Sequence, residues 1–187
     1  MANKDAAFGL KSIVKVGQNR DNQGLSEYDI AANATAIFQN DPVQMLNTGT
    51  IGVAAAGDAL IGVLNGVFFT DANTSKPTFA NHLKGSNTAT DIKGFIADDP
   101  YERFEIQASG ATAAADVGLN ADISYAAGST HDFVSGVELN TGDQKTGTAQ
   151  LRILAISKYP ENNEAASANV NLVVMINEHF LKATAGI

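Results

Sequence analysis

Three histidines are the residues of this sequence with the widest catalytic and metal-binding chemistry. His82, His131 and His179 lie in different segments, and none has a second histidine or a carboxylate four residues away, the spacing that builds a zinc site on a helix. Glu178 precedes His179, but neighbouring residues on a strand point to opposite faces and cannot share one ion. We therefore expect three partly exposed histidines without a catalytic role.

The serine and phosphate-binding motifs are also incomplete. The stretches "ASGATA" (108–113) and "VSGVEL" (134–139) lack the first glycine of a nucleophile elbow. "GTIGVAAAG" (49–57) is not followed by the Lys-Ser/Thr pair of a phosphate-binding loop, and the chain has no cysteine. We predict that the protein is not an enzyme, with no catalytic residue and no cofactor.

Carboxylates gather at two places. "ADDPYE" (97–102) supplies Asp98, Asp99 and Glu102, and "TDAN" (70–73) supplies Asp71. Carboxylate and backbone oxygens suit a hard cation such as calcium, but the spacing of a calcium-binding loop is absent. Asp-Pro before a strand is typical of a turn, so we predict a turn at residues 98–102 and no metal site.

The charge balance excludes some partners. The chain has 12 basic and 20 acidic residues, a formal net charge of -8 and a pI of about 4.7. Binding to nucleic acid or to an anionic membrane requires clustered cations, and the basic residues are scattered along the sequence. No apolar run reaches the roughly 18 residues of a membrane helix. We expect no nucleic-acid and no membrane partner.

The most hydrophobic stretch, "AAAGDALIGVLNGVFF" (54–69), contains three glycines. In a helix Gly62 and Gly66 would each cost about 1 kcal/mol relative to alanine, whereas glycine in a strand marks a bulge or a close backbone contact. The pattern predicts a turn at Gly57-Asp58, followed by a bulged strand over 61–69.

Short alternating segments separated by turn residues continue along the chain. The strongest are 148–159 and 169–181, which we expect to be neighbours in a sheet. Alternation in "YERFEIQ" (101–107) predicts a strand with one solvated face, and 111–117 is compatible with a short helix. The pattern is typical of an all-β fold, mainly β with one or two short helices, as a β-barrel or a sandwich body.

Residues 1–29 are polar and rich in glycine. We interpret them as an extended N-terminal arm that becomes ordered against a partner, and residues 30–187 as the β-rich domain. The apolar residues of the arm are the candidate anchors for binding: Phe8, Leu10, Ile13 and Val16.

Five stretches resemble one family of virion proteins. "MANKDAAFGLKSI", "DDPYERFEIQ", "AADVGLNADI", "TGTAQLRILAI" and "NVNLVVMINEHFL" are similar to tailed-phage structural or capsid decoration (cement) proteins, mostly from phages of marine and cyanobacterial hosts. Residues 41–69 also resemble lambda-type head decoration proteins, which implies a β-tulip-like part at 30–70. That part either continues into 71–187 or is separate from it.

The resemblance implies a protein without an active site. It would sit on the capsid surface of the virion after assembly in the host cytoplasm, bind the major capsid protein, and form homotrimers at local three-fold positions. The N-terminal anchors would then grip neighbouring capsid subunits.

Two alternatives belong to other classes. A tail-tube, head–tail joining or fibre-base protein would also combine a β-rich body with an arm. A β-sandwich enzyme or sugar-binding domain would need paired carboxylates beside a groove and aromatic platforms; the chain has no tryptophan and only 7% aromatic residues.

Overall fold

The computed structural model describes residues 3–15 and 24–183. Three single-turn 3₁₀ helices accompany the strands, at Ala114–Asp116, Thr141–Asp143 and Phe180–Lys182. In chain order the strands are β1 (Lys11–Lys15), β2 (Ser26–Asp29), β3 (Pro42–Met45), β4 (Ile51–Val53), β5 (Leu60–Thr70), β6 (Pro77–Ala80), β7 (Lys93–Ala97), β8 (Glu102–Gln107), β9 (Asn120–Ala121), β10 (Ile123–Ser124), β11 (Glu138–Leu139), β12 (Leu151–Ile156) and β13 (Asn171–Ile176).

Two antiparallel sheets form a sandwich-like body, which confirms the all-β prediction. Sheet A has the order β1-β8-β13-β12-β9, and sheet B has the order β2-β7-β5-β3-β4, with β6 paired to β5. Strands β10 and β11 form a separate small ribbon. The described strands form no closed barrel, so of the predicted architectures the structure takes the sandwich. No helix among the described residues is long and apolar enough to cross a membrane.

Two hydrophobic clusters hold the body together. The first joins the inner face of sheet A to sheet B, with Phe104 and Leu151 from one sheet and Leu60 and Val63 from the other. The second lies on the opposite face of sheet B, where connecting segments cover the strands. Strand β5 supplies residues to both clusters, so both faces of this strand are buried along its first half.

Strand β5 confirms the prediction made from its glycines. Gly57 lies in a turn with a φ of +87°, and Asp58 Oδ2 accepts a hydrogen bond from the Ala55 amide at 2.7 Å. The register of β5 shifts against β3 beside Gly62 and against β7 between Leu64 and Gly66. These two bulges let one strand face both cores.

The pairing of β12 with β13 is also confirmed, with Leu151 opposite Ile176 and Ile156 opposite Leu172. The predicted solvated face of β8 is wrong for two residues, because the side chains of Glu105 and Gln107 are buried. Residues from the N-terminal segment cover part of this face, and sequence periodicity cannot detect such a cover.

Candidate interface on the outer face of sheet A

The three predicted anchor residues that the structure describes occupy different environments. Leu10 is completely buried in the first cluster, and Phe8 is half-buried. Ile13, on β1, has 41% of its surface exposed, and its neighbour Val14 has 44%. Val16 lies outside the described residues. Leu10 therefore belongs to the core of the protein, whereas Ile13 lies on a surface that a partner can reach.

Residues 3–10 are bound to the body through side-chain amides. The Gln107 amide accepts from the Ala6 N–H at 2.9 Å and donates to the Lys4 carbonyl at 3.0 Å. The Asn162 amide likewise accepts from the Lys4 N–H and donates to its carbonyl, both at 2.8 Å. These amides replace the hydrogen bonds of a neighbouring strand. The segment thus covers the end of sheet A near Gln107.

Two strands of the predicted arm also belong to the sheets. β1 pairs with β8 in sheet A, and β2 pairs with β7 in sheet B. The described parts of residues 1–29 are therefore built into the fold at both sheets.

Among the described residues, most side chains on the rest of the outer face of sheet A are exposed or half-buried, and we call this part the open face. One row of side chains crosses four strands in register, in the order Val14, Arg103, Met175 and Arg152. Paired residues of adjacent antiparallel strands share a face of the sheet. Met175, half-buried, thus lies between two exposed arginines.

The next row contains Lys11, Glu105, Val173 and Ala155, of which Lys11 is exposed and the other three are buried or half-buried. The Glu105 carboxylate is buried and accepts a hydrogen bond of 2.5 Å from the Ser157 hydroxyl. A groove of about 710 Å³ runs over this row between β1 and the end of β12. Its apolar lining includes Ile13, Leu154, Ile156 and Val173, and its charged lining is Lys11, Arg103, Lys158 and Glu105.

The cations of this face differ from other cations of the chain. Lys93 pairs with Asp29 at 2.6 Å, and Lys145 pairs with Asp143 at 2.9 Å. Lys11, Arg103 and Lys158, by contrast, form no ion pair with any described residue. Arg152 donates from Nε to the neutral Asn120 side chain at 3.0 Å. The open face thus carries four cations that form no ion pair with a described residue, together with one buried carboxylate, Glu105.

None of the three histidines lines the groove of the open face. His82 stacks on Phe133 with ring centroids 3.8 Å apart, and His131 is exposed. His179 is 1% exposed, so the expectation of partial exposure is wrong for this residue. Its Nδ1 accepts from the Leu181 amide at 3.1 Å, and burial lowers its pKa to about 4.

The carboxylates of "ADDPYE" form the predicted turn. Asp99 Oδ1 accepts from the Tyr101 amide at 2.8 Å, and its carbonyl accepts from the Glu102 amide at 3.0 Å. Asp98 accepts hydrogen bonds from the hydroxyls of Ser26 and Tyr28. No group of three or more metal-ligating side chains converges anywhere in residues 3–15 and 24–183.

Sequence reasoning missed Arg103, Arg152 and Met175 as members of one surface. Alternation placed Arg103 on the polar face of its strand, but the basic residues looked scattered because the order of strands in the sheet was unknown. Pairing of β8, β13 and β12 brings these distant positions into one row.

The chain matches no protein-family model, no curated protein and no solved structure. The resemblance to phage decoration proteins therefore stays a prediction.

Proposed function

We propose that this protein is a capsid decoration protein that binds the outer surface of an expanded phage head and bridges major capsid protein subunits. The observation that carries the proposal is the open basic and apolar face of sheet A beside exposed Ile13 and Val14. Exposed apolar side chains grouped on one face are typical of a surface that binds another protein. The resemblance of the five stretches supports the choice of the head as the partner.

A decoration protein acts by binding energy alone. It stabilises the expanded shell because it binds that state more tightly than the unexpanded or ruptured one. A body with two buried cores and a hydrogen-bonded N-terminal segment loses little conformational freedom on binding. From the resemblance we expect trimers at the local three-fold positions of the shell, an arrangement consistent with closed cyclic symmetry.

Cosedimentation with undecorated heads tests this function. We expect the purified protein to bind expanded heads and to raise the temperature at which they rupture, and to bind unexpanded heads weakly. Absence of binding to expanded heads would contradict the proposal.

Immunogold labelling of intact particles tests the location. We expect label over the head. Label confined to the tail would instead favour a tail-tube, joining or fibre-base protein.

A further inference from the structure

We infer that the open face of sheet A binds a carboxylate-rich protein surface, with Arg103 and Arg152 as the principal contacts. The inference rests on the proposed function in one respect, since the phage head is the expected source of that surface.

The arrangement of the arginines is the first argument. Arg103 and Arg152 flank Met175 on adjacent strands, so their backbones lie about 10 Å apart across the sheet. The carboxylate of the groove, Glu105, lies under the surface and is engaged by Ser157. Two exposed guanidinium groups thus flank a thioether with no described carboxylate between them. Guanidinium groups bind carboxylates through paired, charge-assisted hydrogen bonds.

The charge of the rest of the molecule is the second argument. Three of the 12 basic side chains line the groove together with one carboxylate, although the chain as a whole carries a net charge of -8. An acidic partner is therefore repelled by most of this protein and attracted at this face. Such a charge distribution orients the protein as it approaches its partner and makes the association rate depend on the salt concentration.

The apolar lining is the third argument, and it favours a protein over a nucleic acid. Ile13, Leu154, Val173 and Met175 lie between and beside the cations. Aliphatic side chains of a partner can bury surface against them, whereas a phosphate backbone cannot. The face also offers four cations, fewer than the about 6–10 phosphate contacts of a duplex-DNA binder with strongly salt-dependent affinity.

Charge-reversal variants with a matched control test the inference. The test pair is Arg103→Glu with Arg152→Glu, and the control pair is Lys76→Glu with Lys84→Glu, which changes the net charge equally at exposed positions near β6. A second test pair, Arg103→Gln with Arg152→Gln, avoids placing new carboxylates beside Glu105. Circular dichroism and thermal unfolding establish that each variant is folded.

Two probes are used at about 150 mM salt, where charges separated by more than about 8 Å are screened. The first is the undecorated expanded head, and the second is an immobilised copolymer of glutamate and tyrosine. We expect both double-arginine variants to bind each probe about tenfold or more weakly than the wild type does. The control pair should stay within about twofold of the wild type, because Lys76 and Lys84 lie beside β6 of sheet B and not on the open face of sheet A.

The outcomes separate this inference from the proposed function. Equal binding of heads by the wild type and the Arg pairs would overturn the inference and leave the decoration function standing. Arg-dependent binding to the copolymer without binding to heads would support the inference and contradict the decoration function. Failure of the wild type to bind the copolymer, or its release from the copolymer by duplex DNA, would overturn the inference.

Discussion

At the scale of single residues, Asp41 is a buried carboxyl group with few hydrogen bonds to offset the cost of burying its charge. It is completely inaccessible; Oδ2 accepts from the Phe38 amide at 2.8 Å, and Oδ1 makes no well-formed hydrogen bond with a described residue. Burial raises its pKa to about 6, although the Ser135 hydroxyl and the Phe38 amide favour the charged form. Ionisation of Asp41 therefore destabilises the folded state.

We predict that Asp41→Asn removes this cost. Because the pKa of Asp41 is higher in the folded state, protonated Asp41 contributes its full stability at a pH below its unfolded-state pKa, which is near 4. This contribution is lost as the pH rises through its folded-state pKa of about 6. The free energy of unfolding of the variant, relative to the wild type, should rise by up to about 3 kcal/mol between pH 4 and pH 7. Urea unfolding across this range measures the difference, and a difference independent of pH would contradict the prediction.

His179 provides the control of opposite sign. Its folded-state pKa is lowered to about 4, so neutral His179 contributes its full stability at a pH above its unfolded-state pKa of 6.5. This contribution is lost as the pH falls through about 4. Asparagine can keep the hydrogen bond from the Leu181 amide without titrating. In His179→Asn, the stability relative to the wild type should therefore rise toward low pH. A shift in the same direction as for Asp41→Asn would show that one of the two assignments is wrong.

The environments of Asp41 and His179 could not be predicted from their sequence neighbours. Asp41 stands in an Asp-Pro pair, which is typical of an exposed turn, and His179 follows a polar residue at the end of a strand. Both are buried because distant segments cover them. The turn at Asp99 was predictable, since its hydrogen bonds are local.

At the scale of elements, strand β5 requires glycine more strictly at position 62 than at position 66. A Cβ on Gly62 would overlap the Ala97 carbonyl oxygen and lie 2.8 Å from Ile96 Cγ2, both in the paired strand β7. A Cβ on Gly66 would meet the Ala80 carbonyl oxygen at 3.1 Å. The first overlap requires the strands to separate, and the second requires a small adjustment.

We therefore predict that Gly62→Ala destabilises the protein by about 1–3 kcal/mol or more. Gly66→Ala is the matched control on the same strand and should change stability by less than about 1 kcal/mol. Chemical denaturation of both variants measures these values. Equal effects of the two substitutions would mean that the close approach at Gly62 does not govern the pairing of β5 with β7.

Element prediction succeeded where the signal was local. β5, β12 and β13 follow from hydrophobic alternation and glycine placement within one segment. The buried polar face of β8 and the attachment of the N-terminal segment could not be predicted in this way. They depend on hydrogen bonds of Gln107 and Asn162 with Lys4 and Ala6, which are distant from them in sequence. A polar residue that binds backbone looks the same in a sequence as one that faces water.

At the scale of the whole molecule, the two clusters are joined through strand β5, which supplies residues to both. Leu60 and Val63 of β5 belong to the first cluster, while Ile61, Leu64 and Val67 belong to the second. Phe180, near the end of the described chain, packs against the second cluster, whose other residues lie between residues 28 and 96. Disruption of either cluster thus disturbs β5 and, through it, the other cluster.

We predict that the protein unfolds in one cooperative transition. Leu151→Ala in the first cluster and Ile92→Ala in the second, each removing a side chain no more than 1% exposed, should each cost about 2–5 kcal/mol and lower the same melting temperature. Calorimetry tests this through the agreement of calorimetric and van't Hoff enthalpies. Appearance of a second transition in either variant would instead mean that a part of the chain, such as residues 71–187, folds independently. One transition would follow from the strand that both cores share.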